Sequence, residues 1–327
     1  MRISAKSRSF KDILDALFGV SSEAIAGKGE DSFCCSYSDT SALIGVFDGC
    51  GGLGARQYEK YEDHTGAYMA SRLASGAVYN WFQTKKRTGH SSDPASELKE
   101  AITSALSTGK RKGGSTLVLR GTMVRDFPST AAIALAEYSK GRISLNLIWA
   151  GDSRLFFLGS SGLSALSEDD TDSSDAFEDL RNDPVQTNVL SSDGNYILHS
   201  RTMSVSGPMI LLSCTDGYFG YWNTPMQFEY FLLDTLERAS SFQEWKELLQ
   251  QEILEVTGDD ATLAGMLFQF GTFEEVKKYF RRRHNELYEQ YIAPLDENYS
   301  EERAREYWQA YRGGYEQYLP RNRRDTT

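Results

Sequence analysis

No run of about eighteen apolar residues interrupts this sequence, so no membrane-spanning helix is expected. Residues 1–20 carry basic side chains, but Lys11 and Asp12 break up the apolar ones. A signal peptide is therefore not expected, and the reading is of a cytoplasmic protein with no membrane partner. Basic charge is short: 35 Lys and Arg stand against 46 Asp and Glu, a formal charge of −11. That balance argues against sequence-independent nucleic-acid binding and suits a chain that collects divalent cations. Cysteine is scarce too. Cys34 and Cys35 are adjacent, and Cys50 and Cys214 complete no CxxC pair. A disulfide framework and a zinc site are both excluded, which leaves reduced thiols. His64, His90, His199 and His284 fit neither HxxxH nor HExxH spacing, so none is assigned a ligand role. There is no P-loop, no nucleophile elbow and no internal repeat.

What is present is a chain of 327 residues with 40% apolar residues, enough for a sizeable core. Short runs rich in β-branched and aromatic residues predict strands over 32–37, 42–47, 130–138, 143–150, 155–158, 209–214 and 262–270. Ile143, Leu145, Leu147 and Trp149 fall on one face, and Ser139-Lys140-Gly141-Arg142 reads as a hairpin turn. Helices are predicted over 65–82 and 228–255. Strands with helices interspersed, but not strictly alternating, favour an α+β layered domain. Phe10, Ile13, Leu14, Leu17 and Phe18 recur at helical spacing and predict a short amphipathic helix within 1–20. Residues 85–114 read as a surface excursion around one helix. Residues 159–206 read as polar and irregular, with Glu168-Asp169-Asp170 as a solvated charge run.

The character changes after Phe270. Residues 271–327 hold 11 basic and 11 acidic side chains and eight of the 18 tyrosines, so the negative excess lies in 1–270. A capping box, Thr272 with Glu275, opens one helix, which Pro294 should end. A second, over 301–312, should stop at Gly313-Gly314. The expected organisation is an N-terminal helix in 1–20, a main domain over 21–270 and a helical appendage over 271–327.

Carboxylates cluster at strand ends. Asp48 follows Val46-Phe47 and precedes Gly49-Cys50-Gly51-Gly52; Asp216 follows Cys214-Thr215; Glu30-Asp31 and Asp259-Asp260 immediately precede strands. Converging carboxylates repel one another unless solvated or paired, and a divalent cation relieves that cost. Oxygen ligands without histidine favour Mg2+ or Mn2+ over zinc. Glycine after Asp48 lets a backbone carbonyl approach such an ion. Any single Asp-Gly pair is more often a turn.

In order, the chain reads Gly29-Glu30-Asp31-Ser32, Val46-Phe47-Asp48-Gly49-Cys50-Gly51-Gly52, Ser129-Thr130-Ala131-Ala132, Trp149-Ala150-Gly151-Asp152-Ser153-Arg154, Cys214-Thr215-Asp216-Gly217 and Gly258-Asp259-Asp260-Ala261-Thr262. This resembles the metal-dependent protein phosphatase 2C family, with signatures ED, DGxGG, STA, GDSR, TDG and DNxT, and more narrowly a bacterial branch with DGCGG, WAGDSR and TDGxFGY. The resemblance spans residues 29 to about 268. It implies a four-layer α-β-β-α sandwich with a two-metal site at one end. Asp48 would bridge both ions and Gly49 would offer its carbonyl. Asp216 and Asp259 would complete one shell, and Glu30 and Asp31 would hold the other ion's waters. Asp152 and Arg154 would be mainly structural. A third ion, found in bacterial relatives, would need an aspartate just before the STA strand; Asp126 lies nearby, and a solvated loop residue is its plainer description.

Some positions depart from the family pattern. Cys50 replaces a histidine, and is either a weak proton donor or a small residue tolerated in a glycine turn. Ala26 replaces the phosphate-binding arginine; Lys28 offers charge without the arginine's fork. Asp260 replaces an asparagine. The tail's tyrosines and arginines could bind a partner, with core packing the plainer reading. The expected activity is hydrolysis of phosphoserine or phosphothreonine esters in a phosphorylated protein, the target of a serine/threonine kinase, by an activated water. A catalytically weakened phosphoprotein-binding scaffold is the alternative, and hydrolysis of a small phosphorylated metabolite a second.

Overall fold

Alternating apolar side chains build two five-stranded antiparallel sheets that face each other. The computed structural model describes residues 9–89, 91–114, 126–139, 141–172, 175–180 and 185–319. In chain order the strands are β1 (Leu14–Ser22), β2 (Ser32–Tyr37), β3 (Ser41–Phe47), the short pair β4 (Gln57–Tyr58) and β5 (His64–Thr65), β6 (Ala131–Ser139), β7 (Arg142–Ala150), β8 (Arg154–Gly159), β9 (Gly162–Ala165), β10 (His199–Val205), β11 (Met209–Cys214) and β12 (Ala261–Phe268). The helices are α1 (Gly51–Gly54), α2 (Gly66–Thr88), α3 (Pro94–Gly113), α4 (Ala176–Asp179), α5 (Asp216–Phe219), α6 (Pro225–Arg238), α7 (Phe242–Glu252), α8 (Phe273–Leu287), α9 (Ala293–Glu297) and α10 (Glu301–Tyr315). One sheet runs β1-β12-β11-β8-β9 and the other β10-β7-β6-β3-β2.

The face of β7 read from the sequence, Ile143, Leu145, Leu147 and Trp149, points between the sheets. It meets Leu211, Met266 and Phe268 from the opposite one. Ser139 pairs with Arg142 across the β6–β7 turn, where Gly141 takes φ +82° and avoids the strain a side chain would meet there. Lys140 of that turn lies outside the described residues. On the outer face of the β2 sheet, Ala70, Ala74 and Val78 of α2 and Leu98, Ile102 and Leu106 of α3 pack on Leu43, Ile133 and Ile148. Small alanines let α2 lie close to the strands. On the outer face of the other sheet, Phe231, Leu232, Trp245, Phe280 and Trp308 cover Phe18, Phe156, Ile210 and Leu263. Each such side chain contributes roughly 1.5–3 kcal/mol on burial. The result is the expected α-β-β-α layering. Among the described residues no helix is long and apolar enough to cross a membrane.

Local expectations were overturned where pairing across the chain outweighed local pattern. The amphipathic helix expected within 1–20 is, from residue 9 on, a single 3-10 turn (Phe10–Asp12) followed by β1; residues 1–8 lie outside the described residues. Phe18, Val20 and Ser22 are buried at every second position, and β1 pairs with β12 from Leu14 to Ser22. That long-range ladder outweighs a helical spacing carried by five residues. The helix expected over 228–255 breaks at Ala239, and α7 restarts with the Ser241 hydroxyl accepting from Glu244 N–H at 3.2 Å. The stretch 159–206 holds β9, α4 and β10, the last completing a sheet beside β7. The excursion over 85–114 is the end of α2 plus α3, part of the outer helical layer.

In the tail, Pro294 does not stop the chain. A π turn (Tyr288–Ile292) leads directly into α9, with Pro294 in its first turn, where a missing N–H costs nothing. Helix α10 runs through Gly313-Gly314 to Tyr315, because Tyr311 and Tyr315 are both buried and the Ser164 hydroxyl donates to Gly314 O at 2.9 Å. The tail helices share one core with α6, and residues 320–327 lie outside the described residues.

Candidate metal centre

Strand β3 ends at Phe47, and the local chain holds the aspartate that follows, Asp48, from both sides. Asp48 N–H donates to Thr130 Oγ1 at 3.2 Å and Thr130 N–H donates to Asp48 O at 2.8 Å. Thr130 Oγ1 is in turn 2.6 Å from Ser153 Oγ, so the STA and GDSR segments meet behind Asp48. Across the sandwich, the Thr215 hydroxyl donates to Asp31 Oδ2 at 2.8 Å and accepts from Thr262 N–H at 2.9 Å. One threonine thereby ties the ED, TDG and DNxT segments together. Asp216 opens α5 with its Oδ1 accepting from Gly217 N–H at 2.9 Å, and Asp259 stands at the rim just before β12.

The electrostatics show what has been gathered. Burial pushes Asp48 well above the usual carboxylate range, and the charges of Asp31, Asp152 and Asp259 push further. Burial does the same to Asp216, helped by Asp152, Asp48 and Asp259. Asp31 is raised by burial and then by Asp216 and Asp260. Asp152 is pushed up to about 6 by burial and the neighbouring Asp169 charge. Asp152 Oδ1 is buried without a hydrogen-bond partner. Hard oxygen donors, mutual repulsion and an orphaned carboxylate oxygen fit Mg2+ or Mn2+ in chemistry. The fit is of donor type rather than of a finished cage: among the described residues no three His, Cys, Asp or Glu side chains stand in ready ligand geometry.

Glycine is required beside Asp48 by space. A Cβ on Gly49 would lie 2.5 Å from Ala67 O, and one on Gly51 would strike the Glu30 carboxylate. Glu30 is raised by burial and accepts from the Thr65 hydroxyl at the start of α2. Asp260, which stands where the phosphatase pattern that the sequence resembles has asparagine, spends both oxygens on backbone N–H groups. Its two oxygens accept from Ala24 N–H at 2.9 Å and Glu30 N–H at 2.6 Å, pinning the loop before β2.

Asp152 was expected to be mainly structural, yet its charge is felt by Asp48, Asp216 and Cys50. Gln186, which no sequence pattern marked, holds it. The Gln186 amide donates to Asp152 Oδ2 at 2.5 Å and accepts from the Cys50 thiol at 3.4 Å. Burial and the Asp48, Asp152 and Asp216 charges push the Cys50 thiol far up, so it stays protonated and is no nucleophile. Arg154 is structural as expected, forked on Asp169 through Nε and Nη2 at 2.8 and 2.6 Å. Ala26 and Lys28 are both exposed. Asp126 is committed elsewhere, with Lys110 at 2.6 Å and the Tyr58 hydroxyl at 3.3 Å. His64 stacks on Tyr68, His199 contacts Asp170 and His284 contacts Asp234, none of them on the cluster, while His90 lies outside the described residues.

No family model matches the sequence, and no curated protein does either. Solved structures do match in fold. The catalytic domain of the serine/threonine protein phosphatase PstP, in complex with two manganese ions, aligns with a TM-score of 0.51 at 17% identity, covering 78% of this chain and 98% of that one. The serine/threonine phosphatase Stp1 from Staphylococcus aureus gives 0.58 at 14% identity over 82% and 100%. A C. elegans sex determining protein gives 0.59 at 16% identity over 81% and 67%. The fold is that of the protein phosphatase 2C type of serine/threonine phosphatases.

Proposed function

We propose that this chain is a Mg2+- or Mn2+-dependent protein serine/threonine phosphatase that uses water to hydrolyse phosphoserine and phosphothreonine esters. The observation that carries the reading is the gathering of Asp31, Asp48, Asp152, Asp216 and Asp259 within each other's fields on a phosphatase fold. Arg154, the basic side chain nearest in sequence to Asp152, is meanwhile committed to Asp169. In this reading Asp48, the Gly49 carbonyl, Asp216 and Asp259 would hold the ions, and Glu30 and Asp31 would hold their waters. When bound, such ions supply the positive charge that makes water nucleophilic near neutral pH and offsets charge on the phosphoryl oxygens.

The chain's own groups set the stage for this. Thr130 and Ser153 fix the backbone at Asp48, and Thr215 orients Asp31. Gln186 keeps Asp152 and the Cys50 thiol in place. The thiol can give up a proton to a leaving oxygen, but weakly. Residues 21–270 would form the catalytic unit and 271–327 its appendage, acting in the cytoplasm in signalling opposite a serine/threonine kinase.

A second reading, a weakened member that binds phosphoproteins without turnover, is favoured by Ala26 and Cys50 standing where the family has arginine and histidine. Hydrolysis of p-nitrophenyl phosphate and a phosphothreonine peptide in Mn2+, wild type beside Asp48→Asn, separates the two. Turnover that needs the metal and disappears in the variant supports the phosphatase; peptide binding with no turnover in wild type overturns it.

A further inference from the structure

The acidic run after β9, which reads as a solvated face, contains one aspartate that is committed inside the protein. The Asp170 side chain is 15% exposed, and both of its oxygens are engaged. Oδ2 accepts from Gly151 N–H at 3.0 Å and from the Asn188 amide at 2.6 Å, and Oδ1 stands 2.8 Å from His199 Nε2. Its backbone joins the same two segments. Asp170 N–H donates to Gly151 O at 3.0 Å, and Asp170 O accepts from Thr187 N–H at 2.7 Å and from the Thr187 hydroxyl at 2.9 Å. A bridge between Thr171 and Gln186 continues that pairing. Asp170 therefore grips the residue before Asp152 and the two residues after Gln186. Asp152 and Gln186 are the pair that meet at 2.5 Å, and Gln186 also holds the Cys50 thiol at 3.4 Å. Gly151 is itself wedged against Thr130, the residue that fixes Asp48, where a Cβ would lie 2.7 Å from Thr130 Cγ2. His199 is held in turn, stacked on Trp149, whose indole N–H donates to Glu168 O at 2.8 Å.

We propose that Asp170 is a positioning residue of the candidate metal centre, a clamp that sets Gln186 against Asp152 and so fixes where Asp152 and the Cys50 thiol stand. The inference rests on the phosphatase reading of that centre and adds to it a residue that acts only through others. Asp152 and Gln186 lie 34 positions apart, so chain connectivity alone does not bring them together. A glutamine on an unpaired loop would give up backbone and rotamer freedom each time it met Asp152. A backbone already paired on both sides of it does not. A carboxylate suits the post because donors reach it from different segments and it has two oxygens to receive them. Geometry matters here more than charge. An amide at 170 would keep Gly151 and Asn188 on its one oxygen and turn its NH2 to His199 Nε2, with the imidazole proton on Nδ1. Alanine would keep none of these side-chain contacts. Groups that orient the residues around a metal typically change its affinity by about 10–100-fold when removed.

Mn2+ uptake by the full chain, followed by electron paramagnetic resonance of the free ion, reads the clamp without calling on turnover. Asp170→Ala should weaken Mn2+ binding about tenfold, and Asp170→Asn should stay within about twofold of wild type. Gln186→Leu should weaken binding as well. The double variant Asp170→Ala/Gln186→Leu should bind no more than about twofold more weakly than Asp170→Ala, because the two residues act in one chain of contacts. In EDTA, amide hydrogen exchange over 149–154 and 185–190 should be faster in Asp170→Ala than in wild type or Asp170→Asn. Wild-type Mn2+ affinity or wild-type exchange in Asp170→Ala overturns the clamp. So do additive losses in the double variant, or an Asp170→Asn as weak as the alanine variant. If Asp170→Ala does not fold, Gln186→Leu decides: weakened binding supports the clamp and wild-type affinity overturns it. A wild type that binds Mn2+ but hydrolyses no phosphothreonine peptide overturns the phosphatase reading and leaves the clamp standing. A wild type that takes up no Mn2+ overturns both.

Discussion

The Tyr315 hydroxyl stands 3.2 Å from Nη1 of Arg154, joining the last described helix to the GDSR turn across 161 positions of sequence. Arg154 also forks onto Asp169 and lies 4.4 Å from the Phe219 ring, at the end of the helix that Asp216 opens. The tail thus braces the frame of the candidate centre from behind. The acidic loop is tied to it as well, with Asp175 accepting from Trp308 Nε1 at 3.1 Å and Arg312 Nη1 at 3.0 Å.

Two substitutions at Tyr315 should separate packing from hydrogen bonding. Tyr315→Phe keeps the ring among Phe156 and Trp308 and should cost about 1 kcal/mol. Tyr315→Ala leaves a void in a closed core and should cost about 3–5 kcal/mol. Urea denaturation of the whole chain measures both, and equal losses would show that the ring's packing is immaterial.

Asp48→Asn should make the metal-free protein more stable. The carboxyl is raised by burial and by three neighbouring aspartates, so ionising it at neutral pH works against the fold. A neutral amide removes that repulsion, a gain on the order of 1 kcal/mol. Thermal unfolding in EDTA should show a higher midpoint for the variant, and Mn2+ should raise it less than it raises wild type. A variant that is less stable in EDTA would mean that Asp48 is held by favourable contacts instead.

Asp31, Asp48, Asp152 and Asp216 all have folded-state values above those of an unfolded chain. A raised value means that the folded state binds the proton more tightly, so the stability it contributes is complete below the unfolded value and is lost as pH rises through the folded one. For Asp152 that loss begins near the unfolded value and runs its course as pH passes about 6. The metal-free protein should therefore unfold at lower temperature at pH 8 than at pH 5.5, by on the order of 1–3 kcal/mol in stability. Added Mn2+ should restore more of it at pH 8 than at pH 5.5. A midpoint in EDTA that does not fall over this range would contradict the raised values.

Much of this was legible because strand ends and motifs are local. The β7 face, the Asp48-Gly49 turn and the order of six signatures could be read directly, and the pairing of β6 with β7 needed just one short turn. Strand β1 was misread because its partner, β12, lies some 240 positions away (Ser21 and Thr262 hydroxyls 2.9 Å apart), and five apolar residues satisfy helical spacing equally well. Strands β9 and β10 were hidden by polar composition, since β10 is an edge strand with solvent on alternate positions. Gln186 carried no signal at all. A glutamine matters here through what lies across from it, Asp152 and Cys50, and that is set by the fold alone.

Asp260 supplies the last test, because the asparagine of the phosphatase pattern that the sequence resembles can be put in its place. Both carboxylate oxygens now accept backbone N–H groups, from Ala24 and from Glu30. An amide has one accepting oxygen, so in Asp260→Asn its NH2 must face one of those donors. That leaves a backbone N–H unsatisfied and should cost about 1–3 kcal/mol in urea denaturation. The loop carrying Ile25 should loosen, visible as faster amide hydrogen exchange over 23–30 than in wild type. Exchange that is unchanged there, with stability intact, would show that the turn formed by Glu23, Gly27 and Lys28 holds the loop without Asp260.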